Sequence, residues 1–158
     1  MGIDLDPILI ERARENNEYP LSIKYECLDF MSSPRDHILD SFLKLHDVQE
    51  FDVIFCFSIS MWIHLNHGDE GLKIFLKSVC TKSRIVVIEP QPWKCYKNAL
   101  RRLKRAGAQD HFPHTLNIKH NVVEFIHQFL ENECKFVKIN ESTKTEWNRN
   151  ILFYKKKY

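Results

Sequence analysis

Phe57-Ser58-Ile59-Ser60-Met61-Trp62-Ile63-His64-Leu65-Asn66-His67-Gly68-Asp69 is the stretch on which the fold turns. It follows an apolar run over residues 51–56 that reads as a buried strand. A second apolar run, 84–88, ends in Glu89-Pro90-Gln91-Pro92-Trp93-Lys94-Cys95-Tyr96. Each buried strand thus leads into a crowded polar and aromatic segment. In a parallel α/β sheet those segments sit at the carboxyl ends of strands, where such sheets carry their ligands. A mere connection would be shorter and blander.

Outward from this pair the chain alternates. Residues 2–4 read as the end of a strand. Asp6-Pro7 reads as a helix cap followed by proline at the first helical position, with Ile8, Leu9, Ile10 and Ala13 as the apolar side. Residues 21–27 alternate, with Ile23 and Tyr25 on one face, and predict a strand. Helices are predicted over 34–46, 69–80 and 92–105, the last ended by Gly107. Another runs from a cap at Asn121 to residue 130. Residues 135–139 and 147–154 predict a closing antiparallel pair. This order predicts an open, mostly parallel α/β sheet with helices on both faces. No linker or repeat interrupts it, so residues 1–158 read as one domain.

Composition adds exclusions. No apolar run approaches the ~20 residues of a membrane span, and the opening residues, with Asp4, Asp6 and Glu11, do not resemble a secretory leader. Cys27, Cys56, Cys80, Cys95 and Cys134 are scattered without a CxxC pair, which predicts free thiols in a reducing, cytoplasmic compartment. The net charge of +2 says little about nucleic acid, but its distribution says more. Lys94, Lys97, Arg101, Arg102, Lys104 and Arg105 fall within twelve residues with no acid between them. A charge run usually means a solvated helix face; the missing acids favour a surface that tracks phosphates.

The segments SMWIHLNHGDEGL (60–72) and VVIEPQPWKCY (86–96) closely resemble the bicoid-interacting family of RNA 5′-phosphate methyltransferases. The resemblance runs from Gly2-Ile3-Asp4-Leu5-Asp6-Pro7 to the final strand. It implies a class I methyltransferase fold and S-adenosylmethionine as cofactor. One branch of the family methylates the 5′-monophosphate of a transfer RNA and of microRNA precursors; the other caps the γ-phosphate of a small nuclear RNA. The basic run KCYKNALRRLKRAG (94–107) resembles the monophosphate branch. Such enzymes open with a strand, a glycine-rich loop and a helix. These residues begin at the second strand of that plan, so the expectation is a domain truncated at its amino terminus, lacking the first βα unit and poor as a methyltransferase by itself.

The resemblance assigns roles. Asp4, otherwise a solvated strand-end aspartate, would accept hydrogen bonds from the cofactor's ribose hydroxyls. Asp29 and Phe30, otherwise a turn aspartate and a packed ring, would meet the adenine through a carboxylate and a backbone N–H. Phe57, otherwise core, would lie against the cofactor. Trp62 reads as loop support or as a stacking platform. His64 and His67 read as phosphate donors or loop-fixing hydrogen bonders, with Asp69 as a helix cap. Lys94, Lys97, Arg101 and Arg102 would carry the phosphate and the RNA. Glu89-Pro90-Gln91-Pro92-Trp93 would form one wall of the acceptor pocket, against a plain structural corner with Glu89 exposed. No metal is expected, because two histidines three apart lack a third ligand; His111 and His114 around Pro113 are no better.

A terminal phosphate is largely dianionic at neutral pH, its second pKa being about 6. It therefore needs no general base, which agrees with the absence of a catalytic dyad; the task is positioning. The expected partner is a small RNA with a 5′-phosphate, met by a monomer without membrane attachment. The alternatives are γ-phosphate capping, a non-catalytic RNA-binding remnant, and a small-molecule methyltransferase.

Overall fold

The computed structural model of the protein describes residues 1–107 and 115–157; His111, Pro113 and His114 lie outside the described residues. The chain falls into two compact units, Met1–Asp47 and Val48–Tyr158.

The first unit holds β1 (Gly2–Asp4), α1 (Pro7–Glu15), β2 (Tyr25–Cys27) and α2 (Pro34–Leu45). The two strands pair in parallel, Gly2 with Tyr25 and Asp4 with Cys27. Gly2 is required there, because a Cβ would stand 2.7 Å from Tyr25 Cδ1. Asp6 caps α1 as expected: its Oδ1 accepts the N–H groups of Ile8 (2.8 Å) and Leu9 (3.4 Å), and Pro7 opens the helix. Two expectations are corrected. Residues 21–24 stay outside the strand, so alternation overstated β2. Of the predicted apolar face of α1, Ile10 is buried, whereas Ile8 and Leu9 are 58% and 49% exposed. The interior of this unit rests on Ile10, Leu28, Leu39 and Leu43.

The second unit holds β3 (Phe51–Phe57), α3 (Ser60–Thr81), β4 (Ser83–Glu89), α4 (Trp93–Arg105), α5 (Val122–Asn132), β5 (Phe136–Glu141) and β6 (Leu152–Lys156). Its sheet runs in the order β3-β4-β6-β5. β3 and β4 are parallel, with Phe57 opposite Glu89; β6 runs antiparallel to both β4 and β5. The α/β architecture with a closing antiparallel pair is therefore as the sequence predicts, although β6 begins at Leu152 rather than near Trp147. Asn121 precedes α5 without a side-chain cap. Val86, Val87, Ile88, Leu72, Leu76, Ile126, Leu130, Phe136 and Tyr154 form a dry interior.

The stretch quoted at the start is not a loop after Ser60. It is helical, and α3 bends at Gly68, whose φ of 69° and ψ of −172° only glycine adopts readily. No local residue caps this helix, since Ile59 precedes it. The cap comes from thirty residues away: Gln91 Oε1 accepts the Met61 N–H at 3.1 Å and the Ser60 hydroxyl at 2.8 Å.

Candidate functional site

Asp4 and Asp29 stand at the same end of the β1–β2 pair, and Leu28 N–H donates to the Asp4 carbonyl at 2.9 Å. Each carboxylate is aimed by a backbone donor two residues on: Asp4 Oδ1 by Asp6 N–H and Asp29 Oδ1 by Met31 N–H, both at 2.8 Å. The second oxygen of each accepts from none of the described groups. Two oriented carboxylates with spare acceptor capacity fit hydroxyl and amine donors such as those of a ribose or an adenine. Phe30 is pinned beside them by Arg35, whose guanidinium carbon lies 5.3 Å from the ring centroid and whose Nη1 donates to the Phe30 carbonyl.

In the second unit the ends of β3 and β4 are locked together. Ser58 follows β3 with φ of 53°, an uncommon conformation for a residue with a Cβ. Its hydroxyl donates to Glu89 Oε2 at 2.6 Å. Arg149, from the β5–β6 connection, donates through Nη1 to Glu89 Oε2 (3.2 Å) and to Ser58 Oγ (2.9 Å). The Thr145 hydroxyl donates to Glu89 Oε1 at 3.3 Å. Glu89 is only 6% exposed, so the exposed-corner reading fails: a strand-end carboxylate is buried because three donors satisfy it. Glu89 and Phe57 line a cavity of about 400 Å³, open at the carboxyl ends of the two strands, together with Ser58, Thr145 and Trp147. Phe57 is 51% exposed and so is not core.

Of the two roles expected of His64, phosphate donor or fixing hydrogen bonder, its placement suits the second and not the first. It is fully buried. Nδ1 lies 3.0 Å from the Tyr96 hydroxyl and Nε2 lies 2.8 Å from Asp69 Oδ1. Tyr96 and Asp69 occupy both ring nitrogens, which leaves none for a phosphate. Burial pushes the His64 pKa down against the opposing pull of Asp69, so the ring is neutral at pH 7, donating to Asp69 and accepting from Tyr96. Asp69 does not cap the helix as expected; it also accepts the N–H groups of Asn117 (2.9 Å) and Ile118 (3.4 Å). Burial alone would raise its pKa, but these bonds together with that from His64 hold it below the usual carboxylate range. Tyr96, itself fully buried, stacks with Trp93 at 5.0 Å between centroids. The network ties the start of α4 to α3. His67, by contrast, is exposed and its side chain has no partner among the described residues, while Trp62 is 38% exposed.

On α4, Tyr96 and Ala99 turn inward. Lys94, Lys97, Arg101, Arg102, Lys104 and Arg105 are all exposed, and none has an ion-pair partner among the described residues. Unpaired cations on one rigid element suit a polyanion. Among the described residues no group of three His, Cys, Asp or Glu stands close enough to hold a metal ion, and no helix is long and apolar enough to cross a membrane.

Sequence reading missed Arg149, Trp147, Thr145 and Tyr96, and placed Gln91 in a pocket wall without its cap on α3. The one available signal was Glu89 itself: a carboxylate directly after Ile85-Val86-Val87-Ile88 continues a buried strand and requires donors.

Comparison with known proteins gives the family and the fold class. The sequence profile of the Bicoid-interacting protein 3 (Bin3) family matches residues 51–156. The pre-miRNA 5′-monophosphate methyltransferase of Xenopus laevis is 43% identical over 155 residues, covering 96% of this chain and 60% of that protein. The 7SK snRNA methylphosphate capping enzyme of Mus musculus is 43% identical over 65 residues only, 39% of this chain and 9% of that enzyme. Among solved structures, the magnesium protoporphyrin IX methyltransferase of Synechocystis superposes with a TM-score of 0.59 at 14% identity, covering 99% of this chain and 63% of that one. That likeness establishes a class I methyltransferase fold. The chain spans about half to three-fifths of the length of the curated relatives it matches along its whole length.

Proposed function

We propose the function that follows from one premise: this chain belongs to the Bicoid-interacting protein 3 (Bin3) family. The protein methylates the 5′-monophosphate of small RNA, such as microRNA precursors or a transfer RNA, with S-adenosylmethionine as methyl donor. One observation carries this reading over γ-phosphate capping. The likeness to the monophosphate enzyme runs along nearly the whole chain, whereas that to the capping enzyme stops at 39% of it.

The cofactor supplies an electrophilic methyl group when bound. Asp4 and Asp29, held by the backbone N–H groups of Asp6 and Met31, accept from its ribose and adenine donors, with Phe30 beside them. Phe57 offers an apolar surface at the tip of β3. Lys94, Lys97, Arg101 and Arg102 hold the RNA backbone and its terminal phosphate, and His67 stands as a further donor on the exposed side of α3. His64 acts through others: with Asp69 and Tyr96 it fixes the root of the basic helix. A dianionic phosphate oxygen is already nucleophilic, so these residues position rather than deprotonate. Five unpaired cysteines among the described residues favour a reducing compartment, and we place the protein in the cytoplasm as a monomer.

The test is methyl transfer by the whole protein from labelled S-adenosylmethionine to one RNA hairpin carrying a 5′-monophosphate, 5′-triphosphate or 5′-hydroxyl. Label is expected on the monophosphate RNA and absent from the hydroxyl RNA. Label on the triphosphate RNA alone assigns the protein to γ-phosphate capping, and no label on the monophosphate RNA overturns the reading.

A further inference from the structure

Trp147 is 71% exposed and Phe57 51% exposed, yet both line the same cavity at the ends of β3 and β4. The Arg149 guanidinium carbon lies 5.8 Å from the Trp147 ring centroid, on one side of the ring; the remaining aromatic surface of Trp147 and Phe57 is left in water around one concavity and needs a partner. The polar part of the wall is rich in acceptors. Glu89 and Glu146 both contribute carboxylates, and the Glu146 side chain has no partner among the described residues. The hydroxyl protons of Ser58 and Thr145 are committed to Glu89, so what these groups still offer is lone pairs. Arg149 gives its Nη1 to Glu89 and Ser58, and its Nε is buried away from solvent without a partner among the described residues.

Electrostatics then decides between ligands. A phosphate would face two carboxylates and two hydroxyls whose protons are spent. A flat ring bearing N–H donors would find π-faces and acceptors together. We propose that this cavity binds the base of the 5′-terminal nucleotide of the RNA, stacked on Trp147, with its exocyclic amino group donating to Glu146. It follows that ends carrying guanine, adenine or cytosine are preferred over uracil, which lacks that amino group. The terminal phosphate then lies outside the cavity, toward the cations. This assignment rests on the RNA reading above and adds the residues that select the end of the RNA.

The experiment measures binding by fluorescence anisotropy to 5′-monophosphate hairpins identical except for their first residue: G, A, C, U or abasic. Trp147→Ala is expected to weaken binding of the base-bearing hairpins about tenfold, the usual size of a base–aromatic stack, and to leave the abasic hairpin unchanged. Trp147→Phe retains most of the affinity. Glu146→Ala weakens G, A and C ends and spares U. Both side chains are exposed, so neither substitution threatens the core. Equal loss for all hairpins under Trp147→Ala overturns the proposal. So does a loss confined to S-adenosylhomocysteine affinity, which would give the cavity to the cofactor. Salt-sensitive binding that ignores the first base overturns the cavity assignment alone, whereas absence of salt-sensitive RNA binding overturns the RNA reading with it.

Discussion

The two units of this chain are opposites in charge and in packing. Residues 1–47 carry ten Asp and Glu against five Lys and Arg; residues 48–158 carry eleven against eighteen. The overall +2 therefore hides an acidic unit and a basic one. The acidic unit builds on four buried apolar residues, two three-residue strands and two helices, and leaves Leu5, Ile8, Leu9, Leu21 and Leu45 between 49% and 95% exposed. The basic unit buries both aliphatic and aromatic side chains around a four-stranded sheet. Groups suited to a hydroxylated, amine-bearing ligand thus stand on a thin framework, and groups suited to a polyanion stand on a thick one. The same ligand binding energy is therefore a larger share of the stability of the first unit than of the second.

The strongest way to break this contrast is to separate the units. Expressed alone, 48–158 is expected to melt cooperatively. A stand-alone 1–47, near the size at which a single core ceases to support a fold, should show no cooperative transition by calorimetry. A sharp melt for 1–47 would remove the asymmetry.

Next in size is the salt response of the basic unit. Binding of single-stranded RNA loses about 0.7 log units of affinity per decade of salt for each neutralised phosphate. Replacing Lys97, Arg101 and Arg102 together with alanine should flatten that slope by roughly two units if all three contact phosphate. An unchanged slope would move the RNA off α4.

The acidic unit is sharpened by its carboxylates. Losing one charge-assisted hydrogen bond costs about 1.5–3 kcal/mol. Asp4→Ala or Asp29→Ala should therefore weaken S-adenosylhomocysteine binding at least about tenfold in calorimetry on the whole protein. Amide-exchange protection by that ligand should concentrate in 1–47. Unaltered affinity in both variants would refute the ribose and adenine assignments.

The smallest expected effect concerns pH and belongs to the second unit. His64, facing Asp69 and Tyr96, has a folded pKa below its ordinary value of about 6.5, so the unfolded chain takes up that proton first. Stability should fall as pH drops from 7 through that range. Asp69, whose folded pKa is also lowered, adds stability present above the ordinary carboxylate range and lost as pH falls through its folded value. Thermal melts of His64→Ala should start lower at pH 7 and decline less between pH 7 and 5. An identical decline in both proteins would exclude His64 as the titrating group.

Legibility followed the range of the interactions. β3, α2, α4 and β4 were readable to within a residue or so, because apolar periodicity, Pro34 and the strand-end prolines act locally. The helical start of α3 was not, because its cap is Gln91, far along the chain. Neither was the burial of Glu89, whose donors come from Ser58, Thr145 and Arg149. Among the predicted site residues, Asp4, Asp29 and the α4 cations stand where their positions on strand ends and a helix face would put them. His64 does not, since whether an imidazole meets solvent depends on what packs over it.

The sequence by itself determined the α/β alternation, the family and the basic stripe of α4, all written in local periodicity or in unbroken motifs. Only the tertiary structure decided that His64 is a buried strut, that Glu89 is an internal anion, and that Trp147 and Phe57 wall one cavity. Those outcomes depend on pairs of residues from about thirty to ninety positions apart, brought together when the sheet closes, and one-dimensional pattern does not record that proximity.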